Sequence, residues 1–128
     1  MSDSLVSFEK IKETLISDPE FTREMRYFNG VIKIGMGDNF QLLSYNDGKL
    51  EDIKTNDCDD KDCKIIVKGN EDLWKNMLAE KPKPFYQCLQ STAVKHGLFI
   101  NVSNETFAYL PALNRLMQIM RQSFNGGL

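Results

Sequence analysis

The sequence predicts an α+β fold, with helices at both ends of the chain and antiparallel strands between them. Three observations predict it. The apolar spacing changes from helical to alternating at Val31 and back again after Gly69, and these two periods separate helix from strand. Glycine beside Asn or Asp divides short β-prone runs between residues 31 and 55, which is a hairpin signal. Near the C-terminus, Leu110–Arg121 (LPALNRLMQIMR) puts Leu113, Leu116, Met117 and Met120 on one helical face, widened by Leu110 and Ile119. So apolar a band needs a sheet, a partner protein or an apolar ligand to cover it.

The elements follow in order. Residues 5–17 carry Leu5, Phe8, Ile11 and Leu15 on one face, with Asp3 or Ser4 as the N-cap. Asp18-Pro19 breaks that helix, because the residue before proline is pushed out of the helical region. A second helix, Glu20–Phe28, carries Phe21, Met25 and Phe28, and Asn29-Gly30 closes it with glycine in the left-handed position. Strands are expected at Val31–Met36, Phe40–Tyr45 and Leu50–Thr55. Ile32, Ile34 and Met36 share a face, while Phe40 and Leu42 oppose Gln41, Leu43 and Tyr45, so one side of the meander is covered and the other partly covered.

Asn56–Asp62 (NDCDDKD) reads as an acidic turn, since it lacks the glycine and final glutamate of a calcium loop. Cys63–Lys68 is a fourth strand. Asn70 then caps a short helix with Leu73, Trp74, Met77 and Leu78 on its apolar face. Pro84 is expected to open the next helix, with Phe85, Cys88, Leu89 and Thr92 on one side and Gly97 as its stop. Leu98–Val102 is a fifth strand, Ser103-Asn104 leads to the terminal helix, and Asn125-Gly126-Gly127 is expected to fray.

Composition bounds the function. A chain of 128 residues can bury roughly 68% of the surface it exposes when unfolded, so it needs no staples. Net charge is −2, and without a basic stripe nucleic acid is not the expected partner. No apolar run is long enough to span a membrane and no signal peptide is expected, which points to a cytoplasmic protein. Three cysteines and one histidine supply too few soft ligands for a structural zinc, and no disulfide framework is expected. His96, beside Gly97, is the only imidazole available as a general base, and it reads better as a helix end. Cys88 reads as an inert buried thiol. No catalytic residue, metal site or cofactor is expected. Six methionines suit a lining that adapts to irregular apolar shapes, although apolar stripes are ordinarily packing.

The ordered text resembles the sterol carrier protein 2 family, or sterol-binding domain. DCKIIVKGNEDLWKNML resembles its strand followed by a capped helix with an aromatic residue and a closing Met-Leu. KPKPFYQCLQ resembles its proline linker, and YLPALNRL its Leu-Pro-x-Leu segment. HGLFINVSN stands where the family usually has Gly-Lys-Leu-Lys-Val-x-Gly-Asp, so Ser103-Asn104 replaces Gly-Asp. The similarity is best over 62–120, and over 1–61 it rests on element order.

The resemblance implies one lipid-binding domain over 1–128, built on a five-stranded, mainly antiparallel sheet with helices packed on one side. It implies non-catalytic binding of a fatty acid, acyl-CoA or sterol-like lipid in an apolar cavity between sheet and helices. Placed by element, the implied ligand-binding residues are Trp74, Met77, Phe85, Leu89, Phe99, Leu110, Leu113 and Met117. The alternative expectation is an accessory subunit whose C-terminal apolar helix docks on a partner enzyme, or a homodimer.

Overall fold

In the computed structural model of the protein, residues 5–55 and 58–127 are described. The expected cap at Asp3 or Ser4 lies outside them, as do Asn56 and Asp57 of the acidic turn. The first helix, α1 (Phe8–Ser17), is capped by Ser7, whose side chain accepts from the Lys10 N–H. Asp18 ends it and caps α2 (Pro19–Met25) through the Phe21 N–H at 2.8 Å. The helix α2 stops three residues earlier than expected, and the left-handed position belongs to Tyr27 (φ 76°), while Gly30 (φ 136°) starts a strand. Phe28, just past the helix end, is fully buried.

Strands β1 (Gly30–Met36), β2 (Asn39–Asn46) and β3 (Lys49–Lys54) form the antiparallel meander through turns at Gly37-Asp38 and Asp47-Gly48. A single 3₁₀ turn, Asp60–Asp62, precedes β4 (Ile65–Gly69). The sheet order is β3-β2-β1-β4-β5, and β4 runs parallel to β1, the one parallel pair in an otherwise antiparallel sheet. The other elements are α3 (Glu71–Met77), α4 (Leu89–His96), β5 (Phe99–Ile100), α5 (Asn104–Ala108) and α6 (Leu110–Phe124).

Ile32, Ile34, Met36, Leu43, Ile65 and Val67 face the helices in one continuous core. The opposite face carries a smaller cluster of Leu42, Cys63 and Ile66, with Val31 and Cys58 beside it. There Lys33, almost wholly buried, donates to the Cys58 carbonyl (2.6 Å) and to Asp60 (2.8 Å), tying the connecting loop to the sheet. One face is therefore covered by helices and the other partly covered by a loop, as the strand patterns predict.

Three boundaries depart from expectation. Helix α4 begins at Leu89 rather than Pro84. Residues 84–88 form a loop because the Phe85 carbonyl accepts from Thr92 and Ser91 hydroxyls, while Asn114 of α6 takes the Leu89 N–H. Strand β5 is two residues long, because Asn101 replaces the ladder with its side chain: it accepts from the Ile66 N–H and donates to the Lys64 carbonyl. Val102, inside the expected strand, is mostly exposed. The C-terminal glycines do not fray, since Gly126 is left-handed (φ 80°), its N–H reaches the Ser123 carbonyl and the Gly127 N–H reaches the Gln122 carbonyl. These are the paired bonds of a Schellman cap.

Candidate functional site

The apolar band of α6 is covered by other elements of the same chain. Ala112, Leu113, Leu116, Met117, Ile119 and Met120 are all buried, against α1 and α2 among other elements. Its polar residues, with Asn125 just past its end, hold neighbouring elements in place. Arg115 grips Asp18 with two bonds (3.0 and 2.7 Å), and Arg121 donates twice to the Met77 carbonyl at the end of α3. Asn114 holds Leu89 and Gln90, and Asn125 donates to the Leu78 carbonyl.

The structure gathers five of the implied ligand-binding residues into this core. Trp74, Met77, Leu89, Leu113 and Met117 are buried in one cluster, and half-buried Leu110 packs against it. Trp74 donates from Nε1 to the Gly35 carbonyl at 2.8 Å, so its polar edge is satisfied. Phe85 and Phe99 are not brought to the group. Phe85 is 48% exposed on the 84–88 loop with Lys95 over its ring. Phe99 is also 48% exposed and pairs in register with Lys68, whose ammonium lies over its ring, whereas its neighbour Ile100 packs on the core.

A pocket of about 410 Å³ opens elsewhere on the helical side, between the α1–α2 pair and the β2–β3 hairpin. Helix α1 supplies Leu15 and Ile16, α2 supplies Phe21, Thr22 and Met25, and the hairpin supplies Tyr45, Gly48, Lys49 and Leu50. Local sequence builds this corner. Asp18-Pro19 folds α2 back on α1, and Arg115 fixes the Asp18 hinge. The hairpin turn is pinned to the end of α2: the Gly48 N–H donates to the Phe28 carbonyl (2.8 Å) and the Asp47 N–H to the Asn29 side chain (2.6 Å). A Cβ on Gly48 would stand 2.9 Å from the Tyr27 nitrogen, and its φ is +79°, so glycine is required at this contact.

Tyr45 forms part of the pocket wall and is 6% exposed. Its ring meets Phe28 edge-on at 5.8 Å, and Phe28 meets Tyr109 edge-on at 4.9 Å. Its hydroxyl is buried without a hydrogen-bond partner among the described residues. Burial pushes its acidity far below that of an ordinary phenol, so the group stays protonated at neutral pH.

The remaining chemistry is dispersed. His96 stacks on Tyr86 with centroids 3.8 Å apart. Cys88 is not a buried helix-face thiol: it is the half-buried residue before α4. Burial raises its pKa, but hydrogen bonds from Ser91 and the Gln90 backbone outweigh this and leave it below the usual thiol value. Cys63 lies 3.1 Å from Cys58, sulfur to sulfur, and burial followed by that neighbour pushes its thiol up to about 12. Among the described residues, no group of three or more His, Cys, Asp or Glu side chains can hold a metal ion, and no helix is long and apolar enough to cross a membrane.

Most of the pocket residues are legible in the sequence as apolar or strand positions, yet no local pattern singles them out as a site. The available signal is the register: the Asn46-Asp47-Gly48 turn sets Tyr45 opposite Leu50, at the strand end where α1 and α2 must pass.

No family model and no curated protein matches the chain. Solved structures do. The crystal structure of sterol carrier protein 2 superposes with a TM-score of 0.69 at 12% identity, covering 90% of this chain and 93% of that one. A conserved hypothetical protein of Thermus thermophilus, described as a possible sterol carrier protein, gives 0.60 at 12% identity, with 85% and 80% covered. A UbiJ-SCP2 ubiquinone synthesis protein gives 0.56 at 12% identity, with 86% of each chain covered. The fold is therefore that of sterol carrier protein 2, including the five-stranded, mostly antiparallel sheet with helices on one side.

Proposed function

We propose that the protein is a non-catalytic carrier of a hydrophobic small molecule, held between the α1–α2 pair and the β2–β3 hairpin. The pocket carries this reading: an apolar concavity of about 410 Å³ lies within the range of roughly 300–1,000 Å³ of small-molecule sites. The likeness to sterol carrier protein 2 supports it as a matter of fold. In this reading Leu113 and Met117 support the site rather than line it, since α6 packs behind α1 and α2. Phe85 and Phe99 take no part. The pocket suits a single chain or small ring system, and the nucleotide of an acyl-CoA would remain outside.

The test is extraction and stabilisation. Protein purified from cells is denatured and the released small molecules are identified, and acyl probes are titrated against the melting transition. A bound ligand at 100 times its Kd stabilises by about 2.7 kcal/mol. Leu50→Trp, which fills the pocket, should remove that gain without unfolding the protein. A clean apo mass, with no stabilisation by any acyl chain, would refute the carrier.

A second reading, an accessory subunit, has one observation in its favour. Phe99, Val102 and Phe107 are exposed along β5, the short edge strand, and the segment after it. The expected docking element, the apolar band of α6, is already buried within the chain. Phe99→Asp with Val102→Asp should abolish any partner binding and leave acyl-probe stabilisation intact.

A further inference from the structure

We propose that Cys58 and Cys63 form a redox site, a dithiol that exchanges reversibly with a low-molecular-weight disulfide. The site stands apart from the carrier reading: it lies on the other face of the sheet, beside Leu42 and Ile66.

The acidic loop brings the two thiols together. Cys58 and Cys63 are five residues apart, and the 3₁₀ turn Asp60–Asp62 folds the chain between them. The Asp62 N–H donates to the Asp59 carbonyl, and the Cys63 N–H to the Asp60 carbonyl. The Lys64 N–H then joins Val31 of β1, which fixes the Cys63 end to the sheet. The Cys58 end is fixed from β1 as well. Lys33 donates to the Cys58 carbonyl at 2.6 Å and to Asp60 at 2.8 Å, and Lys68 of β4 holds the other Asp60 oxygen at 3.0 Å. A buried ammonium is costly unless paired, and Lys33 finds both of these partners in the loop. Held this way, the sulfurs stand 3.1 Å apart, about 1 Å beyond the length of a disulfide bond. Closure therefore needs a small side-chain movement and no change in the sheet.

The two thiols differ in access, which sets the order of events. Cys58 is half-buried and Cys63 is buried. The Cys58 thiolate attacks one sulfur of the small disulfide, forming a mixed disulfide and releasing the first thiolate. The Cys63 sulfur then attacks the Cys58 sulfur and displaces the second. The protons of the two cysteines end on the two leaving thiolates. Two cysteine thiols are thus oxidised as one small disulfide is reduced to two thiols. Burial, then the Cys58 neighbour, holds Cys63 as a thiol at rest, and the Lys33 ammonium works the other way. In the mixed disulfide Cys58 carries no charge, so burial is left to be offset by Lys33 and by the proximity of the two sulfurs.

The test exposes the reduced full chain to oxidised glutathione, traps remaining thiols with iodoacetamide and maps tryptic peptides. Trypsin cuts after Lys61, between the two cysteines. The Cys58 and Cys63 peptides should therefore emerge joined, without glutathione, and separate on reduction. Cys63→Ser should instead keep glutathione on Cys58. The bond should also report the fold. In a glutathione redox buffer, the closed-to-open ratio of the native chain should exceed that of the chain unfolded in urea by about tenfold or more, because the folded loop holds the sulfurs together.

Separate, alkylated Cys58 and Cys63 peptides would overturn the proposal and leave the carrier standing. So would glutathione retained on Cys58 of the wild type, or a native ratio no higher than that in urea. These readouts use the wild type, so a variant that fails to fold does not decide the result.

Discussion

Two apolar regions lie on the helical face of the sheet, and they treat their polar atoms differently. Around α6, the polar groups that reach inward are committed to structure: Arg115 to Asp18, Arg121 to the end of α3, Asn114 to the start of α4, and Trp74 Nε1 to β1. In the corner between α1–α2 and the β2–β3 hairpin, the walls stand apart around about 410 Å³ and a buried phenol has no partner among the described residues. A region whose polar groups are satisfied and whose apolar atoms touch is a support. A region that leaves apolar surface uncovered is where the proposed ligand would sit. The difference also gives α6 a role: its Arg115 holds Asp18, the junction between the pocket's two helices.

That comparison breaks most sharply at Leu113. Leu113→Ala removes a side chain buried in the α6 core and should cost about 2–5 kcal/mol, read by urea unfolding. Acyl-probe affinity, measured on the fraction still folded, should change little. A variant of normal stability that no longer binds would make the α6 core the site.

Gly48→Ala tests the corner itself. The left-handed backbone and the 2.9 Å approach to Tyr27 make a cost of about 1–3 kcal/mol the expectation. Because the turn closes one end of the pocket, probe affinity should fall together with stability.

Arg115→Leu links the two regions. The Arg115 hydrogen bond holds the Asp18 carboxyl below its ordinary pKa. Such a group contributes stability that is fully present above its unfolded value, near about 3.9, and is lost as pH falls through the lower folded value. The variant should lose about 1 kcal/mol at neutral pH, allowing for solvent screening. Its deficit should shrink at lower pH as the wild type loses the same interaction. A deficit that persists unchanged below the folded pKa would show that the lost stability came from side-chain packing alone.

The smallest effect on stability is expected at Ile16, half exposed at the pocket wall. Ile16→Ala should change the unfolding free energy by roughly 0.5 kcal/mol or less and weaken acyl-probe binding several-fold. Equal binding by the variant would move the ligand away from α1.

Much of the fold is legible because local chemistry and final structure agree. Asp18-Pro19 separates two helices, Asn70 caps α3, Gly97 ends α4 in the left-handed conformation, and the glycine turns set the meander. Where expectation and structure part, a distant residue overrides a local signal. Pro84 favours a helix start, but Asn114 and the Thr92 hydroxyl take the groups that such a start would use. LFINV alternates like a longer strand, but Asn101 bonds β4 with its side chain and ends the ladder. Phe28 continues a helical stripe, but α2 ends at Met25 and Tyr27 turns left-handed before it.

The candidate site is hidden from the sequence for a related reason. Leu15, Phe21, Met25, Tyr45 and Leu50 are each visible as inward-facing residues, and periodicity reports which way a side chain faces but not whether atoms meet it there. The sequence by itself determined the periods, caps and turns, and through them the α+β order and the inward faces, because these depend on residues within a few positions of one another. Only the tertiary structure decided that the apolar band of α6 is covered by the chain's own α1, α2 and sheet, that β4 runs parallel to β1, and that the gap opens between the α1–α2 pair and the β2–β3 hairpin. Those outcomes depend on how far apart packed elements come to rest, and that distance is set by contacts such as Arg115–Asp18, 97 residues apart in the chain.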